Sequence, residues 1–207
     1  MKRSLLINLV LSTFLFLGLA TGKLSAQSWE PTNGPYGGNI SCFTENDAYL
    51  FAGSPGGVFG KGIFRSSDHG ANWISVNSGL SPVAMGKDIS ALGVSGSNVV
   101  ATTGQGIYHS ADNGDSWAIS AYAGQYYPTV FFGNGNDLFA AGTSGLYIST
   151  DNGITWTAQN DNFQGITPPA VPEIRSMASN GTILYAGTYR KGIFRSTDNG
   201  LSWFTVN

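Results

Sequence analysis

Ser110-Ala111-Asp112-Asn113-Gly114-Asp115-Ser116-Trp117 is the stretch on which the reading of this chain turns. An Asp at its third position can accept hydrogen bonds from backbone N–H groups of a tight turn, and the following Asn and Gly tolerate the left-handed conformations such a turn needs. The Trp supplies a large apolar body to pack beneath the turn, with an indole N–H able to reach a carbonyl. The octet therefore predicts a closed hairpin. It recurs as SSDHGANW from Ser66 to Trp73, STDNGITW from Ser149 to Trp156 and STDNGLSW from Ser196 to Trp203. Its constant positions are Ser66, Asp68, Gly70 and Trp73; Ser110, Asp112, Gly114 and Trp117; Ser149, Asp151, Gly153 and Trp156; and Ser196, Asp198, Gly200 and Trp203. Four copies of one turn behave as a structural element.

The aspartates are 44, 39 and 47 residues apart, and the spacing between them is filled in the same way each time. A strand-like run precedes each octet: Gly62–Arg65, Gly106–His109, Gly145–Ile148 and Gly192–Arg195. Two more runs come before it, such as Val130–Phe132 and Leu138–Ala141 in the third copy, and the Trp opens a fourth. Four short strands in a period near 40 residues are the signature of a β-propeller blade, whose faces are buried by its neighbours. The expected fold is therefore all-β, a propeller of four-stranded antiparallel blades at roughly 39–79, 88–120, 129–160 and 173–207. Helical repeats would need apolar spacings of three and four, which these Gly-rich, β-branched runs lack.

The octet resembles the Asp-box, or BNR, repeat of sialidases, sortilin-type receptors, xyloglucan-cleaving enzymes and photosystem II assembly factor-like propellers. The resemblance covers essentially all of residues 28–207. It implies that each box sits in the hairpin between third and fourth strands, at the blade periphery and away from any active site. The boxes are thus specific for fold and say little about function.

Composition agrees with many short strands: 29 Gly, 13% aromatic and only 11% charged residues. The amino terminus runs from Lys2 and Arg3 through an apolar stretch, Leu5–Ala20, to small residues at Ser25 and Ala26. This is the order of a secretory signal peptide, with cleavage expected after Ala26 and a secreted, periplasmic or cell-surface product of residues 27–207. Loss of residues 1–26 removes Lys2, Arg3 and Lys23, leaving 7 basic against 12 acidic residues, a net charge of −5. Such a chain has no basic footprint for nucleic acid and no reason to insert in a membrane after cleavage. The single Cys42, in an alternating stretch, reads as a small buried hydrophobe, and no intrachain disulfide is possible.

No catalytic, metal or cofactor set is expected. A sialidase resemblance would require converging arginines, yet Arg65 and Arg195 share one repeat position and read as a solvated strand face. Gly60-Lys61-Gly62 lacks the residues of a phosphate loop. His69 and His109 have no metal-ligand spacing. A glycoside hydrolase needs two carboxylates at a set separation, and nothing in the spacing of Asp47, Asp88, Asp137, Asp161 and Glu173 selects a pair. In an antiparallel meander the boxes share an edge with the first turn of each blade. The opposite edge collects the irregular segments, where Tyr122, Tyr126, Tyr127, Phe163, Tyr189 and Arg190 form a candidate surface for a glycan or protein ligand. The expected function is non-catalytic binding or scaffolding, with a sialidase- or xyloglucanase-like glycoside hydrolase, or a fragment of one, as the alternative.

Trp29-Glu30-Pro31-Thr32 reads like the last strand of a blade, which would place the amino terminus on the outer edge of the final blade. Trp203–Val206 claims the same place. Four blades are therefore expected to form an incomplete ring, with apolar faces open at both ends and a tendency to self-associate.

Overall fold

The computed structural model describes residues 31–35, 39–55, 61–82, 87–122, 124, 127–166 and 170–206. The signal-peptide reading and Tyr126 lie outside them. The compact unit Thr32–Asn207 contains sixteen strands in four antiparallel meanders. Blade 1 consists of β1 (Cys42–Glu45), β2 (Leu50–Gly53), β3 (Ile63–Ser66) and β4 (Ile74–Ser75). Blade 2 follows with β5 (Ala91–Ser95), β6 (Asn98–Thr103), β7 (Gly106–Ser110) and β8 (Ala118–Ile119). Blade 3 has β9 (Val130–Asn134), β10 (Asp137–Gly142), β11 (Gly145–Ser149) and β12 (Thr157–Ala158). Blade 4 has β13 (Ile174–Ser179), β14 (Leu184–Thr188), β15 (Gly192–Ser196) and β16 (Phe204–Thr205). The innermost strands stand side by side, β1 next to β5, β5 next to β9 and β9 next to β13, so the blades succeed one another in chain order.

Every third strand ends on the Ser of a box. In blade 2 the buried Ser110 hydroxyl donates to Asp112 Oδ1 at 2.7 Å and accepts from the Gly114 N–H at 2.8 Å. Asp112 then accepts from the Ser116 N–H at 2.9 Å and from the Ser116 hydroxyl at 2.6 Å. The same pattern holds Asp68 on Asn72, Asp151 on Thr155 and Asp198 on Ser202. Two consecutive left-handed residues make this possible: Asn113 at φ 56° and Gly114 at φ 89° in blade 2, with His69 and Gly70 their counterparts in blade 1. His69 does in blade 1 what Asn does elsewhere, at a steric cost that Asn, Asp and His bear better than other side chains.

The Trp of each box does not act alike in the four blades. Trp73 and Trp203 donate to the carbonyls of Gly70 and Gly200 in their own boxes, both at 3.0 Å. Trp117 instead donates to Val76 O of the preceding blade at 2.8 Å, and the buried Trp156 Nε1 has no acceptor among the described residues.

Between blades, residues facing the following blade meet residues facing the preceding one. Phe51 and Ile63 of blade 1 pack with Leu92, Val99 and Tyr108 of blade 2 into one core, and each such side chain is worth about 1.5 to 3 kcal/mol when fully buried. A polar clasp runs above this core. Asn46 Nδ2 donates to Asn113 Oδ1 at 2.8 Å, Asn98 to Asn152 at 3.0 Å and Asn134 to Asn199 at 3.0 Å, each linking the first turn of one blade to the box of the next.

One expectation changes here. Arg65 is not on a solvated face: its side chain is 12% exposed, donates to Asn113 O at 2.6 Å and pairs with Asp115 at 2.9 Å. It faces blade 2, and burial against that box sets its role, whereas Arg195 at the same position of blade 4 is exposed. Trp29 and Glu30 of the strand expected at the amino terminus lie outside the described residues. The Asn33 N–H donates to Ala71 O at 3.0 Å beside the box of blade 1, as the Ala121 N–H does to Ile154 O beside the box of blade 3. Thr32–Asn33 thus occupies the exit path of a preceding blade, and β16 holds the outer position of blade 4. Cys42 is half-buried, and burial pushes its thiol pKa up despite a hydrogen bond from Ser41.

Two predictions follow from the box geometry. Ser110→Ala leaves the buried Gly114 N–H without its acceptor and is expected to cost about 1 to 3 kcal/mol, read as a lower denaturant midpoint at unchanged slope. The second concerns acid. Hydrogen bonds from Asn72 and Ser66 hold Asp68 at about 2, and those from Ser110 and Ser116 hold Asp112 at about 2. In Asp151 and Asp198 burial pulls upward, but bonds from Thr155 and Ser149, and from Ser202 and Ser196, outweigh it and leave both lowered. A carboxylate depressed in the folded state stabilises above its unfolded value, about 3.9, and that stability is lost as pH falls through the folded value. The denaturant midpoint should therefore fall steeply between about pH 4 and 2, and Asp112→Asn should flatten that slope. A midpoint already lost above about pH 5 would contradict the box as the main acid-sensitive element.

Candidate ligand-binding edge

Each second strand turns into its third at the edge opposite the boxes, and the turns differ sharply in chemistry. Blade 2 uses Gly104-Gln105 and blade 3 uses Thr143-Ser144, whereas blade 4 presents Tyr189-Arg190-Lys191. Arg190 adopts φ 61°, a left-handed geometry that a long side chain enters only at some cost and that here turns the chain sharply between β14 and β15. Tyr189 is 46% exposed, with the Arg190 guanidinium 4.7 Å from its ring centre and that of Arg175 5.5 Å away. Arg175, from the start of β13, is in turn paired with Glu173. The result is an exposed aromatic ring held by two cations, each contact of the kind worth about 0.5 to 1 kcal/mol at an exposed site.

The other aromatics expected on this edge separate into two kinds. Tyr127 is 43% exposed and lies 6.3 Å from Tyr122, centre to centre. Tyr122 is half-buried against Tyr147, 4.7 Å away, and burial together with the neighbouring Tyr147 raises its phenol well above the ordinary range. It seals blade 3 and leaves Tyr127 as the outward ring. Phe163 is not available to a ligand. It is 2% exposed, stacks parallel to Trp203 at 5.3 Å and meets Phe194 edge-on at 5.2 Å, because the segment after β12 is drawn into the core between blades 3 and 4. A proposed ligand surface therefore rests on Tyr127, Tyr189 and Arg190.

Two concave spaces lie on the box edge, which sequence reasoning passed over. A cleft of about 450 Å³ is lined by Glu45, Asp47, Leu50, Ser66 and His69, and one of about 430 Å³ continues from the same turn to Ser97 and Asn113. The signal for the first was the Glu45-Asn46-Asp47 turn beside a box that carries His in place of Asn. Asp68 and Asp112 have both oxygens engaged by their own turns and sit at about 2, so neither can carry a proton near neutral pH. Among the described residues no group of three His, Cys, Asp or Glu side chains could hold a metal ion. His109 bonds Ser120 at 3.1 Å across the turn of its own blade and is lowered by burial, against an upward pull from Asp151.

Comparison with known proteins matches this geometry. The BNR/Asp-box repeat model matches residues 147–158, the end of β11 with the box and β12 that follow it. A search of curated protein sequences finds no match. Among solved structures, YCF48 from Cyanidioschyzon merolae is 14% identical with a TM-score of 0.57, over 85% of this chain and 58% of that one. A second structure, of YCF48 bound to D1 peptide, gives 16% identity and a TM-score of 0.58 over 84% and 55%. The extracellular domain of BT4673 from B. thetaiotaomicron gives 17% and 0.60, over 85% of this chain and 22% of that one. The GH74 xyloglucanase from Xanthomonas campestris gives 19% and 0.56, over 81% and 29%. The chain thus spans little more than half of YCF48 and under a third of the other two. Four four-stranded blades, each closed by the same Ser-Asp-Gly-Trp turn, and these structural neighbours together identify the chain as an Asp-box (BNR) repeat protein with the β-propeller fold.

Proposed function

We propose that this chain is an exported, non-catalytic binding module that takes a peptide or glycan on the edge opposite its boxes. The observation that carries the reading is Tyr189, exposed between Arg175 and Arg190 on a turn where blades 2 and 3 have small or uncharged residues. An aromatic face beside a guanidinium suits two ligand classes. It stacks on the apolar face of a sugar ring or on a peptide side chain, while the cation pairs with a carboxylate or carbonyl. Tyr127 supplies a second outward ring on the same edge. That YCF48 has been solved with D1 peptide bound supports a peptide as one of the two classes. Export is supported by the Lys2-Arg3 and Leu5–Ala20 pattern of the amino terminus.

The test is a glycan and peptide array probed with the full chain, followed by affinity measurements on the best binder for Tyr127→Ala and Tyr189→Ala. Both rings are largely exposed, so the melting temperature should stay within a few degrees while affinity falls about 5- to 30-fold for each, the range of one to two kcal/mol. Unchanged affinity in the double variant would remove this edge as the binding surface. Turnover of an arrayed oligosaccharide by the same preparation would replace the reading with a glycoside hydrolase.

A further inference from the structure

The residue before each box serine points toward the box of the next blade, and its chemistry changes from junction to junction: Arg65 in blade 1, His109 in blade 2 and Ile148 in blade 3. Arg65 crosses to the box of blade 2. Its guanidinium donates to Asn113 O at 2.6 Å, pairs with Asp115 at 2.9 Å and lies 4.5 Å from the centre of the Tyr49 ring. His109 spans the next junction through the Ser120 hydroxyl, which donates to Gly153 O at 2.6 Å. Ile148 carries no polar group with which to reach across. Between blades 3 and 4 there is instead a cavity of about 270 Å³, lined by Asp137, Ile148, Thr157 and Gln159 on one side and by Asn199 and Leu201 on the other.

This cavity is the place that the Arg65 guanidinium fills one junction earlier. Strand register makes the correspondence definite: Phe51 pairs with Arg65 and Phe139 with Ile148, which puts Asp137 where Tyr49 stands. Counted from the box serines, Asn199 takes the place of Asn113 and Leu201 that of Asp115. The first junction has its carboxylate on the following blade, and this one has it on the preceding blade. Among the described residues Asp137 makes no ion pair and accepts a single hydrogen bond, from Asn199 Nδ2 to Oδ2. Asn199 has the same φ as Asn113, 56°, and the glycines that follow are at 85° and 89°, so its carbonyl is aimed as Asn113 O is aimed at Arg65. That carbonyl accepts no hydrogen bond among the described residues, and neither do the side chains of Thr157 and Gln159. The cavity thus keeps the carbonyl and a carboxylate of a guanidinium site while the chain supplies no cation.

We propose that the cavity between blades 3 and 4 receives the side chain of an arginine from a peptide partner, with its guanidinium on the Asn199 carbonyl and the Asp137 carboxylate. The methylene stem lies over the buried Ile148 and the exposed Leu201 at the mouth, as long cationic side chains cover apolar surface while their heads stay polar. Arginine fits better than lysine because the acceptors stand on two opposite walls, and a planar fork presents donors in both directions at once. The box gives only a backbone carbonyl to this contact, so the hydrogen bonds of Asp198 stay in place. The site is separate from Tyr127, Tyr189 and Arg190 on the other edge, and neither reading depends on the other.

The test is a proton–nitrogen NMR titration of the full chain into the millimolar range with capped glycine–X–glycine tripeptides, where X is arginine, lysine or the neutral arginine isostere citrulline. The arginine peptide should shift the Gly200 and Leu201 amides saturably, the lysine peptide should bind several-fold more weakly, and the citrulline peptide should leave both amides unmoved. Asp137→Asn keeps an acceptor for Asn199 and removes the charge, and it should weaken arginine binding about fivefold or more. Ile148→Arg supplies the guanidinium from within, as Arg65 does, and should abolish the titration; if that variant loses its native circular dichroism, Asp137→Asn decides alone. An arginine peptide that gives no saturable shift, or shifts only Tyr127 and Tyr189, overturns the proposal. So does a lysine or citrulline peptide that binds equally well, or undiminished binding in a folded variant.

Discussion

The buried serine hydroxyl that opens each box is the group on which the architecture depends. It accepts from the N–H of a glycine four residues ahead and donates to an aspartate two ahead, so one oxygen fixes both limbs of the turn. The turn fixes where the Trp enters, and the Trp fixes how the fourth strand leaves. Because the outer strands are only two residues long, their own ladders contribute little. A blade this short holds its outer strand through the turn rather than through the ladder. The low carboxylate pKa values are the electrostatic face of the same arrangement, since an aspartate that accepts several hydrogen bonds binds a proton poorly.

The blades are held to one another by a second device, which the repeat also specifies but less strictly. The apolar partners keep size and shape in register: Phe51, Val100 and Phe139 at one place, Ile63, Ile107 and Leu146 at another. The position after them is free to change. Arg65 ties blade 1 to the next box through a carbonyl and Asp115, His109 bonds Ser120, and Ile148 packs near Gly200. Glycine is required where the packing is closest. A Cβ on Gly153, already at φ 86°, would lie 2.5 Å from Val100, so the box of blade 3 can approach blade 2 only without a side chain there.

What the sequence made legible follows from this. The boxes, their spacing and the strand runs between them carry the fold because each copy repeats the same local physics, and four copies outweigh any one irregularity. Arg65 was misplaced because strand alternation tells which face a residue takes but not whether a neighbouring blade covers that face. Phe163 was misplaced for a related reason. It lies in an irregular segment with no period, and only the parallel bridge to Trp203 shows that the segment turns inward. The first turn of blade 1 looked like an ordinary turn, yet together with Ser66 and His69 of its own blade it lines a cleft.

Departures from the repeat are then where individuality resides, and they fall into two groups. His69 and Ala71 lie in the box of blade 1, where His69 takes the place Asn holds in the other boxes and lines the cleft beside the first turn. Tyr127, Tyr189 and Arg190 lie on the edge away from the boxes, in segments that no box constrains. A box aspartate cannot take on a ligand without giving up a hydrogen bond that closes its own blade. A residue such as Tyr189 gives up little: its ring already sits beside two cations in water, and a bound aromatic or sugar face replaces solvent on its open side. The proposed binding surface of this chain therefore collects where the structural repeat makes the weakest demand.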